Sequence, residues 1–404
     1  MKIYLPALLC ALVATAVMMM WPADPLPPIR IGVLHSLTGT MAISERPLVD
    51  AVQLAVDEIN ASGGLLGRPI EIVVADGKSD DAVFATEAER LISQEKISVL
   101  FACWTSSCRK AVKPIVEQHH HLMFYPTQYE GLERSPNIYY TGPVPNQQIM
   151  PGTRWAIDNF GKRIYLLGSD YIYPRLASGI IRDIAAVNDG KILAERYVPL
   201  NETNFSAVIA ELRILKPDII LNNLNGNSNL PFFHALRDAG LGNLAVVSFS
   251  LAEDEMQKIG AVAFHPRHYA VWEYFQSQKS EVNQRFITSF HARFGTQRVT
   301  SAPIVAAYIG VHLWAQSVSH TKTVEPEVVN SAILRQSLYG PGGIAAIDKA
   351  SRSLWKMMQV GKARADGQFD LVWNLGETFR PRPFPDYRPL SEWHKITKAA
   401  TKQP

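Results

Sequence analysis

Short apolar runs alternate with stretches of helical period along this chain, and the alternation comes in two separate series. In the first, strands are expected at 29–34, 70–74, 99–103 and 122–125, with helices at 47–60, 82–95 and 107–118 between them. Leu48, Val52, Ala55, Val56 and Ile59 form the apolar stripe of the first helix, and Gly63, Gly64 and Gly67 end it. Strand, helix, strand is the unit of a parallel sheet, because parallel neighbours need a crossover rather than a tight turn. A second series follows Pro145, with strands at 163–168, 192–198, 218–221 and 244–249 and helices at 176–188, 205–215 and 231–239. The chain has 404 residues, too many for one ordinary domain, so the two series predict an α/β protein of two similar lobes facing each other across a cleft. Long helices at 281–294 and 303–319 and a late strand at 368–373 send the chain between the lobes more than once. No short fixed repeat is visible, which argues against a solenoid.

Charge and cysteine usage exclude several partner classes. A net charge of +3, scattered along the chain, offers no basic face for nucleic acid. With 47% hydrophobic and 19% charged residues, the chain has the balance of an ordinary globular body. After Lys2, residues 3–21 carry no charge, and Ala14, Thr15 and Ala16 supply small residues for cleavage. Residues 1–23 therefore read as a secretory signal peptide or, being long enough to span a bilayer, as an uncleaved N-terminal anchor. Either way Lys2 stays cytoplasmic and the body is exported, to the periplasm or another extracytoplasmic space. Residues 24–28 form a stiff, proline-rich linker. Cys103 and Cys108 are expected as two partly buried thiols near a turn, able to pair in an oxidising compartment. Metal-ligand spacing is absent, and neither a structural metal nor a cofactor is expected.

Residues 101–131 hold the candidate site. Two expected strands end there in clusters of aromatic and hydroxyl side chains: Trp104, Thr105 and Ser106 after one, Tyr125, Thr127 and Tyr129 after the other. Ligands of open parallel sheets sit beyond the carboxyl ends of strands, so the clusters read as two walls of one small-molecule pocket.

Several ordered blocks resemble the urea-binding receptors of urea ABC transporters. They are Leu37 to Ser44; Cys103, Trp104, Thr105 and Ser106 with Arg109, Lys110, Ala111 and Val112; Tyr125 to Gly131; Ser135 to Ile138; and Pro145 to Gln148. Gly168 to Tyr171 with Pro174 and Arg175, and Asn225 to Asn229, complete the set. The same blocks are shared, less completely, with the cytoplasmic amide sensor of aliphatic amidase operons, and the likeness runs from about residue 29 to at least residue 379. The resemblance implies a type I periplasmic-binding-protein fold, two Rossmann-like lobes joined by three crossovers. On that template lobe one is 29–143 with 275–337, lobe two is 144–274 with 338–380, and the tail at 381–404 lies along the surface. It also implies that Trp104, Ser106, Tyr125 and Thr127 contact the ligand from lobe one while Tyr171 and Tyr173 reach across from lobe two. The implied ligand is a small neutral amide and the implied partner an ABC permease in the membrane.

The residue chemistry suits such a ligand. Ser106 and Ser107 stand where a helix begins and its first N–H groups lack internal partners. Trp104 and Tyr125 can cover the ligand faces, and the Thr127 hydroxyl both donates and accepts. Asp170, Asn225 and Glu253 are candidate acceptors for ligand N–H groups, or else capping and turn residues. A solute of four heavy atoms gains at most about 6 kcal/mol, which sets a dissociation constant of some tens of micromolar and calls for complete enclosure. Trp104 narrows the site and favours urea, whereas Thr127, where the urea receptors tend to have valine, keeps acetamide and formamide open. His119, His120 and His121 cannot all face one metal from a helix end and are expected to be solvated. Ser106 has no base and acid partner, so no enzyme is expected. Gly63 and Gly64 lack phosphate-loop spacing.

Overall fold

A computed structural model describes residues 26–400; the expected signal or anchor at 1–23 and the start of the linker lie outside the described residues. Five parallel strands form the first sheet: β1 (Ile29–His35), β2 (Ile70–Asp76), β3 (Leu100–Ala102), β4 (Met123–Tyr125) and β5 (Ile138–Tyr140), in the order β2-β1-β3-β4-β5. Helices α1 (Ala42–Ala61), α2 (Asp81–Ser93) and α3 (Ser106–Gln118) connect them. The strands are apolar because helices cover both faces: Ile31, Val33 and Leu34 of β1 and Phe101 of β3 are all buried. Side chains set the helix starts. Asp80 accepts the N–H groups of Ala82 and Val83, and Thr105 accepts that of Cys108. α1 begins at Ala42 rather than at Pro47, since the Glu45 carboxylate accepts the Ser36 N–H at 2.7 Å and ties the earlier turn to β1.

The chain then passes to a second sheet. α4 (Ile149–Phe160) leads into β6 (Arg163–Ser169), α5 (Ile172–Val187), β7 (Lys191–Val198), α6 (Ser206–Leu215), β8 (Ile219–Asn223), α7 (Asn229–Asp238), β9 (Ala245–Ser248), α8 (Glu253–Ile259) and β10 (His268–Trp272). These strands are parallel in the order β7-β6-β8-β9-β10, the same permutation as the first sheet. After β10 the chain returns to the first lobe as α9 (Glu281–Phe294), α10 (Ala302–Thr321) and α11 (Pro326–Ile333), with α10 packed on α1. Ile304, Val305, Val311, Leu313 and Trp314 of α10 are all buried, as expected for a helix apolar on every side. A hairpin, β11 (Ser337–Gly340) and β12 (Gly343–Ala346), precedes the third passage. β13 (Gln359–Ala363) and β14 (Phe369–Asn374) then extend the second sheet antiparallel beyond β10. The result is the expected α/β architecture of two Rossmann-like lobes joined by three crossovers.

The tail, expected along the surface, has mostly exposed or half-buried residues and is tied to the body at a few buried points. Asn146 donates to the Arg380 carbonyl at 2.9 Å and accepts the Arg382 N–H at 2.8 Å, and the Leu132 N–H reaches the Pro383 carbonyl at 2.9 Å. Gly131, at φ 68°, makes room for that contact: a Cβ there would stand 2.0 Å from the Pro383 oxygen. The described part of the tail ends in α12 (Leu390–Ala400), whose Trp393 is buried and donates to the Pro385 carbonyl at 2.9 Å. The histidine run departs from expectation. His119 stays at the surface beside Glu89, but His121 is buried with its Nε2 2.8 Å from the Ile97 carbonyl oxygen. The chain reverses at His120, φ 49°, and carries His121 inward toward β4; burial pushes its pKa below the ordinary value.

Candidate functional site

In each sheet the strand order reverses at one point, between β1 and β3 in the first lobe and between β6 and β8 in the second. Loops leaving the carboxyl ends of such strands diverge and open a crevice. The two crevices face each other. Trp104, just after β3, donates from Nε1 to Asn225 Oδ1, just after β8, at 3.2 Å. Gln128, after β4, donates from Nε2 to Ser250 Oγ, after β9, at 2.9 Å. Ser44 at the start of α1 donates to Glu255 Oε1 of α8 at 2.5 Å, and the Asn227 N–H reaches the Thr40 carbonyl at 3.3 Å. Gly226, φ 62°, permits this approach, since a Cβ would lie 2.7 Å from the Thr40 oxygen. The lobes are therefore closed on each other, with hydrogen bonds around the rim.

Lobe one supplies a wall of hydroxyl and aromatic groups. The Trp104 carbonyl accepts from Tyr125 Oη at 2.5 Å and from Thr127 Oγ1 at 2.8 Å, so both of its lone pairs are used. Ser106 Oγ donates to Glu130 Oε2 at 2.5 Å and accepts from Arg109 Nη1 at 2.9 Å. Arg109, fully buried, also donates to Glu130 Oε1 at 2.9 Å and Glu133 Oε1 at 3.0 Å, and its guanidinium lies 4.8 Å from the Tyr125 ring centre and 4.7 Å from that of Tyr129. Burial opposes the charge of Arg109, but Glu133 and Glu130 outweigh it and hold its pKa well above the ordinary value. Glu133 is likewise disfavoured by burial yet held down to about 2 by Arg109 and Lys110. Burial pushes the Tyr125 hydroxyl up to about 12, so it stays neutral.

Lobe two contributes Tyr171 and Tyr173, with ring centres 6.3 Å apart. Tyr173 is buried, and its hydroxyl stands near Ser250 and Gln128 without a hydrogen bond of ordinary geometry to either. Burial raises the Tyr171 pKa well above its ordinary value, with Tyr125, Tyr173 and Glu130 adding to the effect. Gln128 Oε1 is also buried without a protein partner.

The structure thus brings together Trp104, Ser106, Tyr125 and Thr127, sets Tyr171 and Tyr173 beside them, and uses Asn225 as a bridge between lobes. The Asn225 side chain is otherwise spent on the Asn223 carbonyl at 3.1 Å. Two candidates stand apart. Asp170 is paired with Arg175 at 2.7 Å and lies at the surface. Glu253 sits beside the second crossover, where Oε1 accepts the Gln276 N–H at 2.8 Å; Oε2 has no protein partner, and burial pushes the carboxyl up to about 8. Sequence reasoning passed over Gln128, Glu130, Arg109 and Ser250 as site residues, although the first three lie in the blocks that carried the resemblance.

The expectation of two partly buried thiols is corrected. Cys103 and Cys108 form a disulfide with Cα atoms 5.7 Å apart, and both are fully buried. The strand-to-helix turn doubles the chain back at Cys103, φ 70°, and so brings the first turn of α3 within bonding reach. The crosslink encloses Trp104 and Ser106. Surface cavities of about 400 and 650 Å³ lie elsewhere, around Glu58 and His312, and share no lining residue with the cleft.

Two lobes of one topology, meeting across a cleft lined by hydroxyl and aromatic side chains, define a solute-binding protein. The sequence matches the family described as periplasmic binding protein domain across residues 29–390, and the chain belongs to that family. Among its relatives, the Leu/Ile/Val-binding protein homolog 8 of Brucella melitensis is 24% identical over 338 residues, covering 79% of this chain and 82% of the relative. Homolog 6 of the same organism is 23% identical over 352 residues, covering 83% and 88%. An ABC transporter solute-binding protein of R. palustris in complex with benzoate superposes with a TM-score of 0.78 at 18% identity, over 87% of this chain and 97% of that one. LivJ of Streptococcus pneumoniae in complex with isoleucine gives 0.75 at 20% identity, over 88% and 100%. At such identities the structural likeness is one of fold, the type I periplasmic-binding-protein fold.

Proposed function

We propose that this protein is an extracytoplasmic receptor that captures urea by cleft closure and presents it to an ABC-type permease. The observation that carries the reading is the direction of the hydrogen bonds in the lobe-one wall. A carbonyl can only accept, so Tyr125 and Thr127 must both donate to the Trp104 oxygen. A guanidinium can only donate, so Ser106 accepts from Arg109 and its own hydrogen goes to Glu130. All three hydroxyls therefore have their hydrogens committed within the protein and keep only lone pairs for a ligand. Gln128 Oε1 adds an acceptor, and the Tyr173 hydroxyl supplies a hydrogen that no protein atom takes. Urea, with four N–H groups and one carbonyl, is the complement of that set. A carboxylate is not: it brings acceptors to acceptors, and the charge of Arg109 is already paired with Glu130 and Glu133. The isoleucine and benzoate held by the structural neighbours are therefore poor candidates here.

The test is a planar isosteric series by titration calorimetry: urea, acetamide and acetone, with isoleucine and benzoate as carboxylates. A net hydrogen bond is worth about 0.5–1.5 kcal/mol, so affinity is expected to fall by up to about tenfold per N–H lost. Saturable binding of a carboxylate with no heat from any amide would reverse the assignment. A receptor or sensor for acetamide or formamide, acting on a regulatory partner, is the second reading. It is favoured by Thr127, whose lone pairs suit a primary amide equally well, and it is distinguished by acetamide binding more tightly than urea.

A further inference from the structure

We propose that Glu130 is a positioning residue for the solute that acts through Ser106, by taking the hydroxyl hydrogen and leaving a Ser106 lone pair as the group offered to the ligand. The proposal rests on the amide reading above and names a residue that sets the ligand class. Glu130 is fully buried, so it serves no surface role. Its two oxygens are divided: Oε1 accepts from Arg109 Nη2 at 2.9 Å, and Oε2 accepts from Ser106 at 2.5 Å. A carboxylate present only to neutralise Arg109 would use both oxygens on the guanidinium fork, the stronger arrangement. Arg109 instead spends its other donors on Ser106 at 2.9 Å and Glu133 at 3.0 Å, which closes a three-membered ring of Ser106, Glu130 and Arg109. Arg109 is fixed in turn between the Tyr125 and Tyr129 rings, and Tyr129 stacks on Tyr140 at 4.6 Å. The ring leaves the Ser106 hydroxyl one orientation.

Glu130→Gln reverses that orientation. Arg109 can only donate, so it takes the glutamine oxygen, and the glutamine NH2 then faces Ser106 and donates to it. Ser106 loses the lone pair it offered and turns its hydrogen toward the cleft, where it opposes a ligand N–H.

A double-mutant cycle on urea affinity, with melting temperature followed in parallel, tests this on the exported body, residues 24–404. E130Q is expected to weaken urea binding about tenfold when Ser106 is present, the upper end of one net hydrogen bond, and less than twofold in the S106A background. A merely structural role would cost the same factor in both backgrounds, and that additive result would overturn the proposal. Should E130Q fail to fold, S106A alone decides: a loss of about tenfold in urea affinity in a variant that still melts cooperatively supports the assignment, and unchanged affinity overturns it. Wild-type protein that binds no member of the amide series overturns both this role and the functional reading, whereas amide binding with additive losses overturns only the role of Glu130.

Discussion

Replacing Trp104 by phenylalanine separates the two roles of this side chain. The indole covers the candidate ligand face, and its Nε1–H is also a hydrogen bond between lobes, reaching Asn225 Oδ1 at 3.2 Å. Phenylalanine keeps a ring but has no N–H. Asn225 is 1% exposed, so its oxygen loses its partner inside the closed protein, at a cost of about 1–3 kcal/mol. The cost falls on the closed state, because water solvates both groups when the lobes are apart. Apparent affinity scales with the population of the binding-competent state, so urea binding is expected to weaken by about 5- to 150-fold. The smaller ring also leaves room for a further methylene, and propionamide should gain about 1–3 kcal/mol relative to urea. Titration calorimetry of wild type, W104F and W104A with both solutes measures the two effects, with melting curves to verify the fold. Trp104→Ala should weaken urea by more than tenfold. A urea affinity of W104F within twofold of wild type, with an unchanged propionamide-to-urea ratio, would refute the reasoning.

Three further outcomes can be measured. Serine at both 103 and 108 should lower stability by about 2 kcal/mol, the loop-closure term for so short a ring, and also weaken urea binding; denaturant melts that coincide with wild type would contradict this. Burial pushes Glu253 up to about 8 and Asp254 up to about 6, so the folded protein keeps protons that the unfolded chain has already released. Their contribution is complete below the ordinary carboxylate range and is lost as pH rises toward about 8, with a slope of up to about 1.4 kcal/mol per pH unit for one group. E253Q should flatten the melting temperature between about pH 5 and 8, and a profile parallel to wild type would remove Glu253 as the cause. Trp393→Ala should cost about 3–5 kcal/mol because the indole is 1% exposed; a change within error would mean that α12 is not part of the cooperative fold.

The alternation of buried strand and amphipathic helix was legible because packing against a parallel sheet imposes it, and the strand ends carrying Trp104 and Tyr125 followed directly. Elements held mainly by their surroundings were not. β5 (Ile138–Tyr140) and β13 (Gln359–Ala363) are too short to show a period, and α4 begins with Pro151 and Gly152 close together. α12 follows a proline-rich stretch that reads as tail, and it packs through the buried Trp393 with Ile396 and Ala400 beside it. At the site, residue types were legible but hydrogen-bond direction was not. Ser106 and Thr127 invite a role as donors until Glu130 and the Trp104 carbonyl are seen to take their hydrogens, with Arg109 donating to Ser106 from the other side. His121 misled for a similar reason: the turn at His120, not residue type, decides which histidine is buried.

The disulfide between Cys103 and Cys108 has a consequence for how this receptor could be re-engineered. The loop that holds Trp104 and Ser106 is a covalent ring closed at both ends, one end continuous with β3 and the other with the first turn of α3. Insertions or deletions, the usual route by which binding loops diversify, would break the geometry that closes the ring. New solutes must therefore be reached by exchanging side chains within a frame of fixed length, or by remodelling the opposite lobe, where no such crosslink is found among the described residues.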